Sequence, residues 1–402
     1  VRTLFGIASG AISMSDGYGK AATLGYIEDV FSTYLFDTNT PSDVTVANGI
    51  NLSGNGGLVW TKLRSTDASH QLYDTVRGGS FQLQSNSSNA QSEYFAGRVV
   101  FGSDGFVWKS SGGWGTNTAV SWSFRKATKF FDVVTYTGTG VARTISHNLG
   151  STPGCIIVKR TSDSGTGWWV YHRGNTSGGA AHGQDLRLHL TNATNANADV
   201  WNNTAPTSSV FSIGAGNSPY DWNGSGGTFI AYLFAHNAGG YGATGTDNII
   251  TCDSFTTSGG AATINLGYEP QWLMVKSSST AQSGAWYMMD TMRGWIASDP
   301  GGNPNRVLYA NTNEVEQGGP PETITSTGFN FSTGYSPWAN ATFIYIAIRR
   351  PHKVPTVGTN VYTSFATSSA TGTVLTTGFP PDLGITASTG NDYYKHTFYD
   401  KV

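Results

Sequence analysis

One register, returning three times, governs what this chain can become. Asn51-Leu52 lies eleven residues before Lys62, Asn148-Leu149 eleven before Lys159, and Asn265-Leu266 eleven before Lys276. Downstream of each lysine the same markers follow in one order. An Arg-Gly step comes first, at Arg77-Gly78, Arg173-Gly174 and Arg293-Gly294. A leucine-to-asparagine step follows, from Leu83 to Asn86, Leu190 to Asn192 and Leu308 to Asn311. Then come one phenylalanine (Phe106, Phe211, Phe329), a tryptophan shortly before an asparagine (Trp114, Trp222, Trp338), and a closing apolar run ending near Phe124, Phe234 and Ile348. Markers that keep their order three times define a tandem repeat, so the fold is three copies of one unit.

Composition decides what each copy is made of. The 402 residues include 52 glycines, and only 12% are charged, against roughly 25% in an average soluble protein. Helix formers are sparse, while β-branched, aromatic and turn residues are abundant. The fold class is therefore all-β: tandem antiparallel β-sandwich repeats with an N-terminal extended arm. Boundaries fall at 1–28 for the arm, 29–128, 129–240 and 241–352 for the sandwiches, and 353–402 for an incomplete fourth repeat or linker. In each unit a continuous apolar run ends at the lysine, as Gly57-Leu58-Val59-Trp60 does before Lys62, the pattern of a strand buried on both faces. The stretches Ala193 to Asn203 and Glu314 to Glu322 show no period and read as surface loops.

The arm, with Leu4, Phe5, Ile7 and Ile12 among glycines and serines, reads as a segment docking onto a larger body. In the tail, Pro381-Asp382-Leu383-Gly384-Ile385 falls on the register of Pro153 and Pro270, and Phe398-Tyr399-Asp400 on that of Leu72-Tyr73-Asp74. Half a unit cannot bury its own apolar face. The expectation is a longer polypeptide or a partner that completes it.

Charge and chemistry narrow the function. A formal net charge of -2 without blocks of one sign gives no electrostatic pull toward nucleic acid, and no apolar run is long enough for a helical membrane span. Cys155 and Cys252 sit at non-equivalent places in different units and read as buried small hydrophobes. The histidines show no metal spacing, no cofactor motif is present, and Asp74 and Asp290 share a register position with His172, which speaks against a catalytic pair. The recurring Lys62, Lys159, Lys276, Arg77, Arg173, Arg293, Asn51, Asn148 and Asn265 read as structural anchors, with the glycine after each arginine taking a positive φ. Tryptophans without counterparts in the other units, Trp108, Trp168, Trp201 and Trp295, are the candidate ligand-binding residues, because a flat exposed indole suits sugar stacking.

Phe130 to Gly138, Arg143 to Gly150, Pro153 to Arg160 and Val170 to Arg173, with Ile12-Ser13-Met14-Ser15-Asp16 and Tyr18-Gly19-Lys20 in the arm, resemble repeat domains of tail-associated structural proteins of tailed bacteriophages, including those of marine bacteria and cyanobacteria. The resemblance implies a tail-fibre-like virion protein, assembled in the bacterial cytoplasm and carried outside the cell on the particle. It implies attachment to other tail proteins through the arm and to host-surface glycan through loops. A homo-oligomer, taken as a trimer, is expected, since a thin rod of sandwiches would leave sheet edges open. The alternative is a purely architectural virion component. A glycan-cleaving tailspike would rely on Glu314 and Glu316, the one local acidic cluster.

Overall fold

A computed structural model describes residues 25–38, 42–93, 97–110, 117–216, 218, 221–280, 284–296, 305–319, 322–332 and 338–354, together with the backbone of Leu383–Ala387 and His396–Asp400. The arm up to residue 24, Trp114 and Pro320-Pro321 lie outside the described residues. The fold is all-β, and its sheets are antiparallel.

Each unit repeats one main sheet, with strands in the spatial order opening, closing, central, return. The opening strands are Phe31–Asp37, Phe131–Thr137 and Ile250–Thr256, and the central strands Gly57–Leu63, Pro153–Arg160 and Pro270–Ser277. The return strands are Gln71–Asp74, Trp168–His172 and Tyr287–Asp290; the closing strands Thr118–Arg125, Thr228–Ala235 and Thr342–Arg349. The hairpins are in register: Leu58 pairs with Asp74, Cys155 with His172 and Trp272 with Asp290. The tail hairpin keeps that register, Leu383 facing Asp400, so the half-unit read from the tail forms the expected strand pair. A smaller sheet covers one face of each main sheet, for example Val44–Ala47, Gly105–Trp108 and Val99–Gly102 in the first unit and Arg143–Ser146 with Val210–Ile213 in the second.

The other face of each main sheet is also covered, and this is where the sequence reading needs correction. Side chains alternate along a strand, so the central strand of unit one sends Val59 and Leu63 into its own sandwich and Leu58 and Trp60 to the opposite face. In unit three Leu273 and Val275 face the sandwich, and Trp272 and Met274 the other side. These second faces, from all three units, merge into one core. Phe124 of unit one packs against Phe131 at 5.5 Å and Phe234 at 5.7 Å in unit two, and against Trp272 at 5.8 Å in unit three. The units are therefore not strung end to end. They close into a ring in which unit one touches both unit two and unit three.

The chain crosses between units at one end of this ring. Tyr241, in the second linker, is fully buried and donates its hydroxyl hydrogen to Thr128 O in the first linker at 2.9 Å, while Gly242 N–H donates to Gly25 O at 2.9 Å. Residues leaving unit three meet those leading into unit one: the rings of Tyr26 and His352 lie 5.2 Å apart, and Lys353 N–H donates to Glu28 Oε1 at 2.8 Å. This end is the linker pole. The central strands run away from it, so Lys62, Lys159 and Lys276 mark the distal pole.

Candidate functional site

The seams between units are built at three recurring register positions, two of which bond across every seam and the third, the lysine, across two of them. The first is the residue closing the return hairpin. Tyr232 of unit two donates its hydroxyl hydrogen to Asp74 Oδ2 of unit one at 2.9 Å, and Trp122 Nε1 of unit one donates to Asp290 Oδ2 of unit three at 3.0 Å. Between units two and three the position is His172, whose Nε2 lies 3.0 Å from Tyr345 O and whose Nδ1 takes the Gly174 N–H at 3.2 Å. That pattern requires the Nε2-protonated, neutral ring, and burial pushes its pKa down to about 3.

The second position starts the return strand. Trp168 Nε1 donates to Gln84 O and Ser87 O, both at 3.0 Å, Trp286 Nε1 donates to Arg187 O at 3.0 Å, and His70 Nε2 meets Tyr309 O at 2.9 Å. Each reaches back into the preceding unit, with unit three preceding unit one. Trp168 is thus no solitary residue: its counterparts are Trp286 and His70.

The third position is the lysine. All three are fully buried. Lys159 Nζ donates to Ser88 O of unit one at 3.3 Å and to Arg160 O, Thr166 O and Thr166 Oγ1 at 2.9–3.0 Å. Lys276 Nζ donates to Thr191 O of unit two at 2.9 Å and to Gly284 O. Lys62 donates to Leu63 O at 2.7 Å, with Asp67 and the Glu316 and Glu314 carboxylates of unit three in its field. Burial lowers the pKa of Lys159 and Lys276 to about 7 and that of Lys62 to about 8.

The arginine anchors divide. Arg77 pairs with Asp74 and Arg293 with Asp290, three residues apart, at 2.6 Å, and each guanidinium also donates to the backbone of its return strand, at Leu72 O and Met288 O. Arg173 does not belong to this set. It is exposed and reaches Asp253 of unit three at 3.3 Å. Counting three residues from His172 gives Asn175, buried and accepting from Thr194 Oγ1. Unit two thus replaces an Asp–Arg pair by a neutral His–Asn pair. Gly78 and Gly294 take φ of 91° and 96°, as the sequence implied. Gly174 is glycine for closeness instead: a Cβ there would stand 2.9 Å from Asp253 and Ser254.

In the asparagine anchors the leucine carries the packing. Leu52, Leu149 and Leu266 are buried, whereas Asn51 caps a short turn by accepting the Gly54 N–H, Asn265 accepts from Gly267 N–H, and exposed Asn148 donates its N–H to Asp132 Oδ2.

The four candidate tryptophans are core residues, and the sugar-platform reading fails for each. Trp108, Trp168, Trp201 and Trp295 are at most 2% exposed. Trp108 lies under the Arg98 guanidinium at 4.3 Å, Trp201 Nε1 donates to Gln184 O at 3.0 Å, and Trp295 Nε1 donates to Glu322 O at 3.1 Å. Trp201 also shows that the aperiodic stretch Ala193 to Asn203 is no free loop, since Asn195–Ala196 pairs with Gln184–Arg187. In the other long stretch Gln317–Gly318 pairs with Arg306 and Val307, and burial raises the pKa of Glu322 to about 8. Glu316 is held by Arg64 at 2.8 Å and Arg293 at 3.5 Å, which takes it out of an open pair with Glu314. Both cysteines are buried and free, and Cys252 Sγ donates to Ala235 O at 3.2 Å.

What the seams present to solvent is the distal pole. There the loop after each lysine lies against a loop of the preceding unit, as where Gln91 N–H donates to Thr161 O, Thr194 N–H to Ser278 O and Ala68 N–H to Asn313 O. The exposed side chains there include the hydroxyls and amides of Ser65, Thr66, Asn89, Ser162, Thr191 and Asn313, with the carboxylates of Asp67 and Glu314 beside them at the seam between units three and one. The hydroxyls and amides can both donate and accept hydrogen bonds. The large apolar side chains exposed among the described residues, such as Val76, Val141 and Met292, include no aromatic ring.

Residues 28–350 match the model of a family described as "Domain of unknown function (DUF7483)". No curated protein matches the chain. The matched span takes in all three units and both linkers, so the family's domain is the ring as a whole.

Proposed function

This chain belongs to the DUF7483 family, and we propose that it is a structural protein of the bacteriophage tail-fibre type, whose ring is carried from its linker pole and turns its distal pole outward. The likeness of repeat two to tail-associated proteins supplies the class. The observation that carries the reading is the meeting of Tyr26 and Glu28 with His352 and Lys353. Both flanking segments depart from one pole, which suits attachment there and leaves the other pole clear. In this reading the arm engages other tail proteins, the particle carries the protein outside the cell, and the distal hydroxyls and amides meet host-surface glycan. Sheet faces that a rod would expose are covered within one chain, so a trimer is not required to cover them.

Labelled protein applied to bacterial cells tests this. Binding that disappears after periodate oxidation of the surface polysaccharide is expected. A protein that decorates the particle but binds no cell, oxidised or not, would overturn the attachment role. That outcome is the second reading, a purely architectural component, which the burial of all four candidate tryptophans favours.

A further inference from the structure

The opening strand of each unit is one edge of its main sheet. In unit one Arg125 N–H donates to Val30 O and Thr38 N–H to Asn117 O, both at 2.8 Å. Bonding alternates along an antiparallel pair, so Val30, Ser32, Tyr34, Phe36 and Thr38 bond inward to the closing strand. Phe31, Thr33, Leu35 and Asp37 turn their N–H and C=O groups outward. The same parity holds in units two and three, where Ala235 N–H donates to Phe130 O and Arg349 N–H to Ile249 O. There the chain leading into the strand closes its first outward positions. The second residue after the closing strand donates its N–H, Ala127 to Phe131 O and Asn237 to Ile250 O, both at 2.9 Å. The first residue after it uses its side chain: Lys126 Nζ donates to Val133 O at 3.3 Å, and His236 Nδ1 accepts the Cys252 N–H at 3.2 Å. In ring order the corresponding residues for unit one are Arg350 and Pro351, which follow the closing strand of unit three. Pro351 has no N–H to give, and Arg350 pairs with Glu269 at 2.9 Å. Among the described residues Phe31 and Leu35 make no outward hydrogen bond, and Thr33 accepts only from Ser32 Oγ at 3.5 Å.

We propose that this open edge is the seat of the N-terminal arm of the same chain, which adds to it as an antiparallel strand. In the other two units the groups that close the edge come from the chain leading into the strand, and into unit one that chain is the arm. Its end is in place: Gly25 is held to the second linker at the linker pole, and one turn, Ile27–Asp29, separates it from the start of Phe31–Asp37. A chain that turns there can run back along the strand and offer alternating N–H and C=O groups to Phe31, Thr33 and Leu35, the mode of β-strand addition. Along the edge Ser32, Tyr34 and Leu35 are half-buried and Asp37 is exposed. A partner of the same seven-residue length leaves the rest of residues 1–24 for attachment to a larger body. It also withdraws a template on which a second ring could pair. The seat does not depend on what the distal pole meets.

Residue-resolved amide exchange on the full chain, at a low and a high protein concentration, tests the proposal. Ser32 and Tyr34, bonded inward, are the internal reference. Thr33 and Leu35 are expected to exchange about a hundredfold or more slower than unstructured peptide, together with a run of amides within residues 1–24 and equally at both concentrations. Free exchange at Thr33 and Leu35 beside protected Ser32 and Tyr34 would overturn the seat. So would protection at Thr33 and Leu35 without any protected amide in the arm, or protection that grows with concentration, the sign of a second copy on the edge. Leu35→Pro removes one outward N–H and leaves the inward ladder; it should lower protection in the arm by about tenfold. Arm protection that Leu35→Pro leaves unchanged would place the arm elsewhere.

Discussion

Burying an amine is costly unless oxygen atoms replace its water, and the Lys159 and Lys276 positions show how the ring meets that demand. At these two seams a carbonyl from the preceding unit, Ser88 O or Thr191 O, joins acceptors from the lysine's own unit, so the buried amine ties the two units together. With folded pKa values near 7 and an unfolded value near 10.4, the unfolded chain binds more protons between those limits. These two groups therefore make stability rise with pH from about 7 upward. Thermal melts should show a higher midpoint at pH 9 than at pH 7, and Lys276→Met should flatten that rise. At pH 7 the same variant leaves two carbonyls unpaired, at a cost of about 1–3 kcal/mol. A melt whose pH dependence is the same with and without Lys276 would remove this account. The sequence marked these lysines clearly, because the same residue ends the central strand in all three units, and each is buried there. It misplaced the tryptophans for a related reason. A residue found in one unit was taken as free for function, whereas in a ring each seam faces different neighbours and is filled by different side chains.

At the scale of the hairpin, unit two shows that the first seam position tolerates two chemistries as long as donor meets acceptor. Asp74 and Asp290 accept from Tyr232 and Trp122 and are balanced by arginine; His172 donates to a backbone carbonyl and is followed by neutral Asn175. His172→Asp alone would aim a carboxylate at Tyr345 O with no arginine three residues on to balance it. The expected loss is about 3–5 kcal/mol, the cost of an unpaired buried charge. Adding Asn175→Arg should recover part of it, and denaturant unfolding of the single and double variants reads both. A double variant no more stable than the single one would show that the Asp–Arg pair is not transferable. Strand identity and hairpin register were legible, down to Leu383 and Asp400 in the tail. The arginine register of unit two was not, because Arg173-Gly174 imitates the marker two residues too early; the distance from the end of the return strand was the better guide.

At the scale of the whole molecule, the double-sided burial of the central strands was visible as an unbroken apolar run, but a sequence cannot say what covers the second face. The covering contacts join residues such as His70 and Tyr309, far apart along the chain and without any period. Closure makes a sharp prediction: residues 25–354 should unfold in one cooperative transition and scatter light as one chain, while excised repeat two, with Trp168, Val170 and Phe234 uncovered, should aggregate or fail to fold. A stable, soluble single repeat would refute the shared core. The seams also have a direction, since each unit reaches back into the one before it and unit one reaches into unit three. Head-to-tail contacts of this kind end only when the rotation closes, so the number three is fixed by geometry and a two-unit or four-unit version would need different seams. Because the three places are covalently distinct, a substitution enters the ring once rather than three times. A single chain can thus hold three-sided shape constant while letting its three distal loop sets diverge, and so present an asymmetric face on a symmetric frame.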